Sequence, residues 1–141
     1  LIFYSIGHSS LSAEVFLEHL RRFGITLLVD VRRYPASRRH PQFHRALLEP
    51  LLAGESIDYL HLGEALGGFR EGPYESYVLT EPFRRGLAVL VERARADTAF
   101  LCAEKNPWEC HRRFIGEELS RRGFDVRHIV DGQLVLGTLA P

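Results

Sequence analysis

Both cysteines of this chain fall in one short segment, Cys102-Ala103-Glu104-Lys105-Asn106-Pro107-Trp108-Glu109-Cys110-His111-Arg112-Arg113. The segment follows an apolar run, Ala99-Phe100-Leu101, and leads into a helical pattern. In an open α/β sheet the turn from a strand end into a helix is where ligands bind, so the segment reads as a site. Asn106 suits a helix cap, Pro107 the first helical position, and Glu109 can close a capping box. A helix over residues 107–122 puts Cys110 and His111 in its first turns. Free N–H groups and partial positive charge there lower a thiol pKa and favour a bound phosphate. Arg112 adds fixed charge. Cys110 is therefore a candidate nucleophile, with His8 or His111 as base. Cys102 competes for the role because its strand-end position faces a cleft, although Glu104 nearby opposes a thiolate. Cys110 also stands four before Phe114, and His111 four before Ile115, so both fit a buried helical face as well. Cys102 equally fits a core strand.

Other strand ends carry matching chemistry. Gly7-His8-Ser9 follows the first apolar run, and Asp30-Val31-Arg32 closes the second, ahead of Pro35-Ala36-Ser37-Arg38. If the strands are parallel, these turns open at one sheet edge. His8, Asp30, Arg32, Arg38, Cys102, Glu104, Lys105, His111 and Arg112 would then share one cleft. A buried strand ending in a carboxylate needs a partner, so Asp30 is expected to pair with an arginine or His8, for catalysis or simply to hold loops. Residues 32–45 hold Arg32, Arg33, Arg38, Arg39 and Arg45 with no Asp or Glu, interleaved with Tyr34 and Phe43. Arginine forks grip phosphates and aromatics stack on bases, but the same composition suits a solvated loop. Gly67-Gly68 can shape a flap over the cleft.

Several mechanisms are excluded by spacing. A Cys-x5-Arg phosphate loop fails because Trp108 and Gly116 stand six after the two cysteines. No Cys-x-x-Cys pair, dinucleotide fingerprint or P-loop occurs. A zinc site from Cys102, Cys110 and a histidine is not excluded in this way, although its spacing is not that of a recognised finger, and no metal ligand set is assigned. The cofactor is unknown.

The elements that must position these residues alternate between strand and helix, which predicts an α/β domain with a mainly parallel sheet flanked by helices. Strands are expected at 1–6, 25–31, 57–60, 98–102, 126–130 and, at an edge, 133–136. Helices are expected after the Ser12 cap with Val15, Phe16, Leu20 and Phe23 inward, near 42–52, over 81–95 and over 107–122. Gly24 and Gly123 end two of them. Residues 61–80, rich in glycine and aromatics, read as a long functional or mobile loop.

Residues 1–141 suit one domain with one sizeable core. Lys+Arg and Asp+Glu both number 18, so local rather than net charge would draw an anionic partner. No run approaches a membrane helix, and the first residues read as a strand rather than a signal peptide. The expectation is a cytoplasmic protein with reduced thiols and no membrane partner. The absence of methionine suggests that Leu1 is not the translated start.

Ile6-Gly7-His8-Ser9, Leu28-Val29-Asp30-Val31-Arg32-x-x-Pro35-x-Ser37-Arg38, Leu66-Gly67-Gly68, Cys102-Ala103-Glu104 and Cys110-His111-Arg112 resemble, in consistent order, the motifs of the family catalogued as domain of unknown function 488. The resemblance implies a single Rossmann-like α/β domain whose shared site includes these motif residues, Ser9, Ser37, Gly67 and Gly68 among them. It implies no established reaction. The expectation is an enzyme acting on a phosphate-bearing small molecule, nucleotide or nucleic acid. Arg32, Arg38 and Arg112 would hold anionic oxygens, Cys102 or Cys110 would attack, and His8, Asp30 or Glu104 would move protons. A non-catalytic nucleotide or nucleic-acid binding module and a thiol-redox or metal-linked protein are the alternatives.

Overall fold

The computed structural model describes residues 1–136. Strands β1 (Ile2–Gly7), β2 (Leu27–Asp30), β3 (Asp58–His61), β4 (Thr98–Cys102), β5 (Asp125–Val130) and β6 (Gln133–Leu136) form one sheet in the order β3-β2-β4-β1-β5-β6. The first five are mutually parallel, and β6 returns antiparallel along β5 at the edge. Helices α1 (Ala13–Arg22), α2 (Arg45–Ala53), α3 (Gly63–Leu66), α4 (Tyr74–Tyr77), α5 (Glu81–Arg93) and α6 (Arg112–Arg121) make the crossovers. The fold is Rossmann-like. No helix among the described residues is long and apolar enough to cross a membrane.

The sheet is covered on both faces, so buried apolar residues point both ways from its central strands, as in Ala99-Phe100-Leu101 of β4, and Ser5 of β1 is a buried polar exception. One face carries α1 and α2, with Phe16, Leu20, Phe43, Leu48 and Leu52 packed on Leu28, Ala99, Leu101 and Ile129. The other carries α3 to α6, with Leu66, Phe83, Leu87, Leu90, Ile115 and Leu119 packed on Phe3, Val29, Phe100 and Val126. The period of two along a strand sorts the polar residues as well. On β4, Leu101 faces the α1–α2 layer, whereas Phe100 and Cys102 face the α5–α6 layer.

Local chemistry explains the element boundaries. The Ser12 side chain accepts the Val15 N–H at 3.1 Å and starts α1, and Gly24 follows the last turn at φ 64°. Within α1 the inward face is Phe16, Leu17 and Leu20, while Val15 is exposed. The long segment after β3 is partly ordered by α3 and α4, because Tyr74 and Tyr77 hydroxyls donate to Leu66 O and Ala65 O, both at 2.6 Å.

The main departure from the sequence expectation is the helix at 107–122. Pro107–Glu109 is a 3-10 turn, capped by the Asn106 side chain accepting the Trp108 N–H at 3.0 Å. The chain then straightens at Cys110 (φ −135°, ψ 155°), and α6 starts only at Arg112. The region near 42–52 divides in the same way, into a 3-10 turn at Pro41–Phe43 and α2. In each case a proline opens a short turn and an extended residue ends it before the helix proper.

Candidate active site

The turns after β1, β2 and β4 meet at the carboxyl edge of the sheet. His8 N–H donates to Cys102 O at 3.0 Å, Ser9 N–H to Ala103 O at 2.8 Å, and Val31 N–H to Leu101 O at 2.9 Å. The approach is close enough that a Cβ on Gly7 would lie 1.6 Å from Glu104 O. The sheet nevertheless separates the residues expected to share one cleft into two groups.

The first group lies on the α1–α2 side. Asp30 is fully buried and accepts the Arg32 fork at 2.9 and 2.7 Å, together with the Tyr59 hydroxyl at 2.5 Å. The remaining Arg32 arm donates to Phe43 O at 2.8 Å. Asp30 thus pairs with an arginine, and that guanidinium has its donors committed to the protein rather than to a ligand. Sequence reasoning gave Tyr59 no role because it stands on another strand. His8 stacks on Phe43 with ring centroids 4.5 Å apart, and its Nδ1 meets Ser9 O at 2.9 Å. Burial pushes the His8 pKa down to about 4, so the ring is neutral near pH 7.

The second group lies on the α5–α6 side. Arg112 is fully buried at the first position of α6. It donates to Ser5 Oγ at 3.2 Å, Glu104 O at 2.8 Å and Lys105 O at 3.0 Å, and so pins the loop after β4 onto β1. Ser5 in turn pairs with His128, which burial pushes down to about 4, with the nearby Arg112 charge acting in the same direction. Among the described residues no carboxylate lies within 4.0 Å of Arg112. A buried guanidinium requires a counter-charge.

Cys110 supplies it. Its Sγ lies 3.5 Å from the backbone N–H of Arg112 and 3.5 Å from Nδ1 of His111, whose Nε2 is held 3.2 Å from Val31 O. Burial alone would raise this thiol. Donation from Cys102 and His111, with the charges of His111 and Arg112, overcomes burial and holds Cys110 well below the ordinary thiol range. Cys102 is fully buried, and burial together with donation to Cys110 holds it well above that range. Its thiol also points toward Glu104 O at 3.7 Å.

Cys110 and His111 open onto a cleft of about 730 Å³. The rest of its wall includes Glu104, Glu109 and Gly68, the aromatics Tyr34, Phe69, Tyr74 and Trp108, and the basic residues Arg33, Arg70 and Arg113. Arg32 borders it, with its guanidinium turned away to Asp30. His8, Asp30, Cys102, Arg112, Gly67, Ser37 and Arg38 do not line it. The position that was expected to favour Cys102 therefore belongs to Cys110, because the period of β4 turns Cys102 under α6. Arg112 is a core anchor rather than a surface cation. Ser37 Oγ accepts His40 N–H at 3.1 Å and shapes its own loop, and Arg38 is exposed. Ser9 and Lys105 border a separate hollow of about 200 Å³, where Lys105 pairs with Asp131 at 3.0 Å. Gly67 is needed for backbone approach, since a Cβ there would come within 2.5 Å of Arg33 N. No group of three or more His, Cys, Asp or Glu among the described residues is placed to hold a metal ion.

Sequence reasoning missed the lining roles of Arg33, Tyr34, Phe69, Arg70, Tyr74, Trp108 and Arg113 as individuals. The signal was present as an arginine-aromatic loop and a glycine-aromatic loop, whose side-chain directions only the fold defines.

These features define the class: a Rossmann-like α/β domain with a strand-end cleft that has a paired thiol at its wall. The chain belongs to the family described as Domain of unknown function DUF488, which matches residues 12–119. No curated protein and no solved structure shows a match.

Proposed function

We propose that the cleft is the active site of an enzyme that uses Cys110 as nucleophile on a phosphate-bearing nucleotide or nucleic-acid substrate. The observation that carries this reading is the buried Arg112, which no carboxylate within 4.0 Å among the described residues balances, beside a thiol that opens onto the cleft. The thiolate is the attacking species in cysteine chemistry, and donors aimed at sulfur keep it populated near neutral pH. His111 sits where it can hold the thiolate and return a proton, and Glu104 or Glu109 can serve a leaving group. Tyr34, Phe69 and Trp108 offer flat faces to a base, and Arg33, Arg70 and Arg113 offer charge to phosphate.

The test is iodoacetamide alkylation of Cys110 as a function of pH, with and without a panel of nucleoside monophosphates, a short oligonucleotide and inorganic phosphate. The expected result is fast labelling well below pH 8, slowed by at least one nucleotide-containing probe and absent in Cys110→Ser. Labelling with the pH dependence of a free thiol would overturn the nucleophile. Retarded labelling with no product formed from any probe would leave the cleft as a binding module.

A further inference from the structure

Cys102 has no part in the chemistry proposed above, yet it is a fully buried thiol facing the same side of the sheet as Cys110. Cys110 packs against the core cluster that contains Cys102, and Arg112 ties the two together: its backbone N–H meets Cys110 Sγ at 3.5 Å, while its guanidinium and the Cys102 thiol meet the same Glu104 carbonyl at 2.8 and 3.7 Å. Cys110 is half-buried and lines the cleft, whereas Cys102 is fully buried and does not line it. One sulfur is placed to meet a solvent-borne electrophile, and the other is shielded from it by the core.

We propose that Cys110 is a site of oxidation by hydroperoxides and that Cys102 is its resolving partner, so that oxidation ends in a reversible Cys102–Cys110 disulfide. The inference rests on Cys110 being the reactive thiolate of the cleft. In the first step the Cys110 sulfur attacks the terminal oxygen of a hydroperoxide. The O–O bond breaks, Cys110 becomes a sulfenic acid, and the alkoxide or hydroxide takes a proton and leaves as alcohol or water. In the second step the Cys102 sulfur attacks the Cys110 sulfur. The S–S bond forms, the S–O bond breaks, and hydroxide leaves as water with the Cys102 proton. The cysteine pair loses two electrons and the peroxide gains two. A dithiol reductant reverses the change by exchange. Because the attacking sulfur is consumed, the oxidised form has no nucleophile in its cleft. The neighbouring thiol also keeps the sulfenic acid from advancing to the irreversible sulfinic acid.

Trypsin separates the two cysteines after Lys105, leaving Cys102 in peptide 96–105 and Cys110 in peptide 106–112. Wild-type protein treated with stoichiometric hydrogen peroxide, digested without reductant and analysed by mass should show these two peptides joined. Dimedone should not label Cys110. Iodoacetamide labelling should fall at least tenfold and return with dithiothreitol. In Cys102→Ala, checked for folding by circular dichroism, dimedone should label Cys110. The wild-type cross-link decides the matter even if that variant fails to fold. A wild-type protein that yields a dimedone adduct or sulfinic acid at Cys110 without the intramolecular link overturns this inference. If Cys110 is alkylated rapidly near neutral pH but no link forms, only the disulfide is lost. If it reacts with neither reagent faster than a free thiol, the nucleophile reading falls too.

Discussion

Arg112 shows how one side chain joins structure to chemistry. Its guanidinium holds Ser5 Oγ and two loop carbonyls, while its backbone N–H and its charge both favour the Cys110 thiolate. Arg112→Gln should therefore raise the pH midpoint of Cys110 alkylation by about one unit or more, and Arg112→Lys should raise it less, since the charge is kept and the fork is lost. An unchanged midpoint in the glutamine variant would show that Arg112 does not support the thiolate. Asp30 has the converse character. Arg32 and Tyr59 both converge on it inside the α1–α2 layer. Asp30→Ala leaves a buried guanidinium and hydroxyl without their acceptor, and the expected loss is about 3–5 kcal/mol in chemical denaturation. Loss of less than about 1 kcal/mol would mean that water replaces the carboxylate and that the pair is not a structural anchor.

The elements act on the site through their ends. β1 and β4 run parallel in register, so Gly7 lies beside Cys102 and its backbone meets the Glu104 carbonyl. Gly7→Ala cannot be accommodated without moving the loop that Arg112 pins, and a destabilisation above about 2 kcal/mol is expected. Gly68→Ala is the control: its Cβ would sit 3.7 Å from His111 Nδ1, an ordinary contact on the cleft wall. Thermal melts of the two variants should differ widely, and similar melting temperatures would show that the β1–β4 approach is loose. The break between the 3-10 turn and α6 has a comparable effect. Because the chain is extended at Cys110, the sulfur reaches the open N–H at the start of α6 instead of lying along a helix side.

At the scale of the whole molecule, two buried histidines tie stability to pH. His8 and His128 lie on opposite faces of the sheet, and burial lowers both from 6.5 to about 4. Between those values the unfolded chain binds protons that the fold excludes. The stabilisation is fully present above pH 6.5 and is lost progressively as pH falls toward 4, by roughly 3 kcal/mol for each group. Urea denaturation should show a plateau from pH 7 to 8 and a steep decline below 6.5. The decline should be shallower in His8→Phe, which keeps a ring against Phe43. Equal stability at pH 7 and pH 5 would contradict the buried, neutral state of both rings.

The alternation of apolar strands and amphipathic helices determined the α/β class, the parallel sheet and the meeting of polar turns at one edge, because parallel strands must send their carboxyl ends the same way. The spacing of the cysteines near a basic helix start likewise marked the segment that holds the thiol. What the pattern did not carry was the face on which each residue lies relative to its neighbours in space. One strand register places Leu101 on the α1–α2 side and Cys102 on the α5–α6 side. That alternation divides the expected cleft, leaving His8, Asp30 and Arg32 as one buried network and Cys102, Cys110 and Arg112 as another. Whether an arginine binds a ligand or a carbonyl depends on which groups lie within about 3 Å of its fork. Only the tertiary structure decided this, since Arg112 on α6 meets Ser5 on β1, and Asp30 on β2 gathers Arg32 together with Tyr59 from the neighbouring β3.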